Sequence, residues 1–87
     1  MIIAENIEQR VGTPKDVTRV LSEILNTESE LDRDKEHFWI IGLNAHNVIK
    51  FIDLVSLGTL TDSLVHPREV FRLAVVKGVA RVIAAHN

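Results

Sequence analysis

There is no cysteine among the 87 residues. That absence excludes disulfide frameworks, thiolate zinc sites and a cysteine nucleophile. Any metal would have to be held by His, Asp, Glu and water. Long hydrophobic runs are also missing. Lys50 interrupts the chain after Val48-Ile49 and Arg81 after Val79-Ala80, and no stretch nears the roughly 20 apolar residues of a membrane span. No basic region precedes the apolar start, and Glu5 and Glu8 follow it at once, which argues against a signal peptide. A cytoplasmic protein with no membrane partner is expected. An excess of positive charge is absent too: 10 basic residues against 12 acidic ones leave a net charge of -2. Nucleic-acid modules usually carry a basic stripe, so charge does not support direct nucleic-acid binding. The four glycines (Gly12, Gly42, Gly58, Gly78) are isolated and build no phosphate loop. Without a Gly-x-Ser-x-Gly elbow, no serine is marked as a nucleophile.

What is present suits one small globular domain, with 46% hydrophobic and 25% charged residues. Residues 1–4 read as a short edge strand and residues 5–12 as a connection. Thr13-Pro14-Lys15-Asp16 is a helix start, with a capping residue, proline at the first helical position and an acid complementing the dipole. Val17, Val20, Leu21, Ile24 and Leu25 then recur at helical spacing and predict one buried face. The charged run from Glu28 to Lys35 reads as a loop.

Residues 36–43, apolar on both faces after the first two, predict a central strand. Asn44 to Asn47 is a turn in which an asparagine can take positive φ. Val48 to Val55 is the returning strand of a hairpin, and Ser56 to Ser63 a loop around Gly58. Pro67 opens a second helix whose stripe is Val70, Leu73, Ala74 and Lys77, with Phe71 beside it and Gly78 as its stop. Val79 to Ala85 reads as a buried strand. The order β–α–β–β–α–β predicts an α/β layer structure, a mixed sheet flanked by helices.

The four histidines, His37, His46, His66 and His86, form no local zinc motif. His86 lies at the C-terminal end of a strand, where open α/β sheets place ligands; the plainer reading is a partly solvated strand exit. Glu36, at the entry of an apolar strand, reads either as a solvated boundary residue or as a general base for water. His37 and His46 are expected on the surface, His66 near a helix cap, and Phe38 and Trp39 in the core.

Several segments together resemble the RadC-like JAB/MPN (JAMM-type) domains. They are Thr13-Pro14-Lys15-Asp16-Val17, Glu36-His37-Phe38, Gly58-Thr59-Leu60, Val65-His66-Pro67-Arg68-Glu69-Val70-Phe71, and Ala85-His86-Asn87. The resemblance runs from about Thr13 to Asn87. It implies a cytidine-deaminase-like α/β/α core and a zinc-dependent peptidase or isopeptidase chemistry on a protein or peptide substrate. In active members a glutamate opening a central strand is the general base. Two histidines in His-x-His and a later aspartate hold zinc, water completes the tetrahedron, and a serine stabilises the oxyanion. Glu36 matches that glutamate and His86 the first histidine.

The second histidine, the Pro-Ser-Gly and the aspartate have no counterpart here. One histidine is short of the three ligands of a catalytic zinc. The expectation is therefore a single partial JAB/MPN domain over 1–87, incomplete at its C-terminus and inactive alone, with its last strand left uncovered. An ordered portion, a cut chain, a gene remnant, or assembly with another chain, a homo-oligomer included, would each account for this. Alternative readings are a non-catalytic protein-binding or scaffolding module, and an accessory role in DNA repair implied only by the family name.

Overall fold

The computed structural model describes residues 2–58 and 67–87. Its elements in chain order are β1 (Ile2–Glu5), α1 (Pro14–Asn26), α2 (Glu30–Arg33), β2 (His37–Leu43), β3 (Ile49–Leu57), α3 (Pro67–Lys77) and β4 (Arg81–His86). The four strands form one sheet in the order β1-β3-β2-β4. The α/β class and the expected order hold, with α2 as an extra turn of helix in the charged run that reads as a loop. Ser29 caps that turn by accepting from the Asp32 amide.

All three strand pairings are antiparallel, where a mixed sheet was expected. The reason is strand order. β3 and β4 run parallel to each other across the α3 connection, but β2 lies between them, so the parallel pair never shares hydrogen bonds.

α1 starts as its sequence predicts. The Asp16 carboxylate accepts from the amides of Gly12 at 2.8 Å and Thr13 at 3.0 Å. Arg19 adds an ion pair at 3.1 Å. These contacts hold the Asp16 carboxyl below its ordinary range, the two backbone amides first and Arg19 as a lesser cause. The apolar face of α1 packs Val20 and Leu21 onto Trp39, Ile41, Leu43, Ile49 and Ile52. Of these, Ile41, Ile49 and Ile52 are fully buried.

The hairpin turn rests on Asn44, whose Oδ1 accepts from the amides of His46 and Val48. Asn47 takes the left-handed conformation at φ 62, as the turn chemistry predicts. β3 carries two bulges opposite β2, at Lys50 and Val55. They put Phe51, Asp53 and Ser56 on the face away from α1, and the Phe51 ring lies against Gly42, where a Cβ would clash with the ring edge.

α3 lies on that second face. Its Lys77 pairs with Glu5 at 2.7 Å, and Glu5 is opposite Phe51 in the register. Val70, Leu73, Ala74 and Lys77 are half-buried, as the stripe predicts, whereas Phe71, Val75 and Val76 are 70–80% exposed. Gly78, at φ 67, ends the helix, and the Val79 amide returns to the Ala74 carbonyl. β4 departs from the buried strand that the apolar run alone predicts for residues 79–85, where the incomplete family match expects an uncovered one. Four of its six residues are exposed, because it is the edge strand of the sheet among the described residues.

Candidate functional site

The two candidate residues meet at one end of the sheet. β2 enters there and β4 leaves there, because the two strands are antiparallel and Phe38 stands opposite His86. Paired residues share a face, and alternate residues of a strand do too. Glu36 precedes Phe38 by two, and its carbonyl accepts from the Gly58 amide at 2.8 Å, one rung beyond β2. Glu36, Phe38 and His86 therefore fall on the face away from α1. Both candidate side chains are exposed, so a carboxylate and an imidazole are offered to solvent at the same corner.

Ser56 extends this row across a third strand, opposite Phe38 on the β3 side. Its Oγ is buried and has no hydrogen-bond partner among the described residues. Sequence reasoning misses it by ending the strand at Val55. The bulge at Val55 lengthens β3 by one residue and turns Ser56 onto the Glu36 side, and no period-two pattern signals that.

On the opposite face, His37 is fully buried and is not the surface residue expected. Its ring stacks on Trp39, with centroids 4.9 Å apart and planes inclined by 17°. Nδ1 lies 2.7 Å from the Lys35 carbonyl oxygen and Nε2 lies 2.7 Å from Glu28 Oε2. Both ring nitrogens thus lie within hydrogen-bond distance of an oxygen atom. The physical cause of burial is alternation: His37 shares a face with Trp39, Ile41 and Leu43, which α1 covers. That signal was available in the spacing and was outweighed by the usual exposure of histidine.

Asn87 completes this corner. Its Oδ1 accepts from the His37 amide at 2.7 Å and its Nδ2 donates to the Lys35 carbonyl at 3.2 Å. His46 is exposed in the hairpin turn, as expected. His66 lies outside the described residues, as do Thr59, Leu60 and Val65 of the family-like segments. The Arg68 side chain is exposed.

Among the described residues, no group of three or more His, Cys, Asp or Glu converges. His86 alone is one imidazole donor, short of the three protein ligands of a catalytic zinc, so the described residues do not by themselves hold the ion. An open groove of about 800 Å³ runs beside β4, lined by Val11, Pro14, Val17, Leu43, Ile83 and Ala85 among others. It lies on the α1 face and does not open on Glu36. Among the described residues no helix is long and apolar enough to cross a membrane.

Comparison with known proteins gives a consistent answer. The family model of the RadC-like JAB domain matches residues 11–87. A UPF0758 protein of Caldanaerobacter subterraneus subsp. tengcongensis is 40% identical over 77 residues, covering 88% of this chain and 31% of that protein. One of Chlorobaculum parvum is 36% identical over 84 residues, covering 97% of this chain and 36% of its own length. A third, of Staphylococcus aureus, is 38% identical over 84 residues, with 97% and 35% covered. The chain spans about a third of the length of these relatives.

Proposed function

The chain belongs to the RadC-like JAB domain family, and on that footing we propose that it carries part of a zinc-dependent hydrolase site for amide or isopeptide bonds. His86 is one metal ligand and Glu36 the general base; the substrate is a protein or peptide, and the protein works in the cytoplasm. The observation that carries this reading is the Phe38–His86 register, which sets a carboxylate and an imidazole on one face at one end of the sheet. Zinc, when bound, supplies a Lewis acid for attack by water. Glu36 is exposed and so is free to take the proton of the attacking water. The remaining ligands of such a site are not among the described residues, and no further step is assigned.

The test is a chimera in which residues 11–87 replace the matching stretch of the Caldanaerobacter relative. It should bind zinc in a titration and cleave an amide or isopeptide substrate. His86→Ala should lose zinc binding, whereas Glu36→Gln should retain zinc and lose turnover. Zinc binding by His86→Ala as tight as by the parent chimera would sink the ligand assignment. A second reading, a non-catalytic module that binds protein, is favoured by the outward-facing Phe71, Val75 and Val76 of α3. A chimera that binds no zinc at all would select it.

A further inference from the structure

β4 is the edge strand, and the ends of edge strands fray unless something ties them. His86 is the last residue of β4. On backbone pairing alone, its imidazole would sit on the least constrained part of the sheet. The residue after it changes that.

Asn87 binds through both ends of its side-chain amide. Oδ1 takes the His37 amide at 2.7 Å, and Nδ2 gives to the Lys35 carbonyl at 3.2 Å. The Nδ2 atom also lies 3.3 Å from His37 Nδ1. That nitrogen cannot accept from Asn87 and also donate to Lys35. The shorter contact, at 2.7 Å to the Lys35 oxygen, gives the proton to Nδ1, so the 3.3 Å approach is proximity rather than a bond. The Asn87 orientation follows from its partners, oxygen toward an N–H and nitrogen toward a carbonyl.

His37 is in turn held on several sides. It is fully buried, stacked on Trp39 and joined to Glu28 at 2.7 Å. Glu28 precedes α2 and Lys35 follows it, so four segments close on one point: the α1–α2 link, the approach to β2, the first residue of β2 and the exit of β4. We infer that Asn87 and His37 form a side-chain clasp that fixes the end of β4, and that its role is to keep His86 in register with Phe38, on the face of Glu36. Asn87 and His37 are positioning residues: they act through the site residues and lie on the opposite face. The inference rests on the site assignment of Glu36 and His86 above and adds how one of them is held.

Nuclear magnetic resonance of the metal-free 87-residue chain tests it without reference to zinc, so its outcome is separable from that of the chimera. His37→Ala risks unfolding a packed core, so the test uses Asn87, which is exposed. In Asn87→Ala the His37 amide should exchange with solvent roughly tenfold faster, the size expected for one lost hydrogen bond. The cross-strand backbone through-space signal between Phe38 and His86 should disappear, while the amide of Ile41 keeps its protection. Asn87→Asp retains an oxygen acceptor, so it should restore protection of the His37 amide but not of the contact to Lys35. Unchanged His37 exchange in Asn87→Ala would overturn the clasp. Faster exchange with an intact Phe38–His86 signal would overturn its positioning role.

Discussion

Ile41 and Ile83 face each other across the β2–β4 ladder, identical in chemistry and unlike in circumstance. Ile41 is fully buried, whereas Ile83 is only partly covered. The contrast runs along both strands. β2 has six of seven residues buried and β4 has none, although both are apolar in sequence. β2 is flanked by β3 and β4 and roofed by α1, while β4, among the described residues, has a neighbour on one side only. An apolar strand shows where burial is wanted; neighbours decide whether it is achieved.

The largest expected effect is at that pair. Ile41→Ala should cost about 2–5 kcal/mol in urea unfolding, the usual range for a fully buried isoleucine. Ile83→Ala should cost less than half as much. Equal losses would mean that β4 is covered in solution and would end the comparison.

The next pair sharpens it. Gly42 stands opposite Val82, with the Phe51 ring against it. Gly42→Ala should lose about 1–3 kcal/mol through overpacking, while Val82→Ala, on the open strand, should stay near 0.5 kcal/mol. A tolerated Gly42→Ala would show that Phe51 can swing aside.

The smallest effect is a dependence on pH confined to the α1 side. The Asp16 carboxyl is lowered in the folded chain, so its contribution is present above the ordinary aspartate range, near pH 4. It is lost as pH falls through the lowered folded value. Asp16→Asn should therefore unfold at lower urea than the parent at pH 7, and the two midpoints should draw together as pH falls below the ordinary aspartate range. A constant difference between pH 7 and pH 3 would assign the effect to shape rather than charge.

Much of this was legible from residues. The start of α1 follows from Thr13-Pro14-Lys15-Asp16, its buried face from the spacing Val20-Leu21-Ile24, and the turn from Asn44 and Asn47. Each is a local rule acting over a few residues. β3 was less legible because its two bulges space Ile49, Ile52, Leu54 and Leu57 by three, two and three, which blurs a period of two. The exposure of β4 depends on strand order, which no local pattern encodes, whereas the burial of His37 follows the alternation His37, Trp39, Ile41, Leu43 on the face that α1 covers.

The candidate corner divides in the same way. Glu36 and His86 were singled out by where they fall relative to apolar runs. Their common face needed the register. Ser56 needed its pairing with Phe38 on the neighbouring strand, and the Asn87–His37 contacts join residues 50 positions apart in the chain, which alternation along one strand cannot supply.

The two bulges of β3 also bear on how this fold can change over generations. Nine residues of β3 lie along seven of β2, so Lys50 and Val55 are surplus to the pairing. Loss of the codon for Val55 would leave Leu54 and Ser56 on their present faces and simply regularise the strand. Loss of any internal codon in β2, which has no surplus residue opposite β3, would turn every later side chain to the wrong side. Lineages carrying this sheet should thus vary in length in β3 and keep β2 constant.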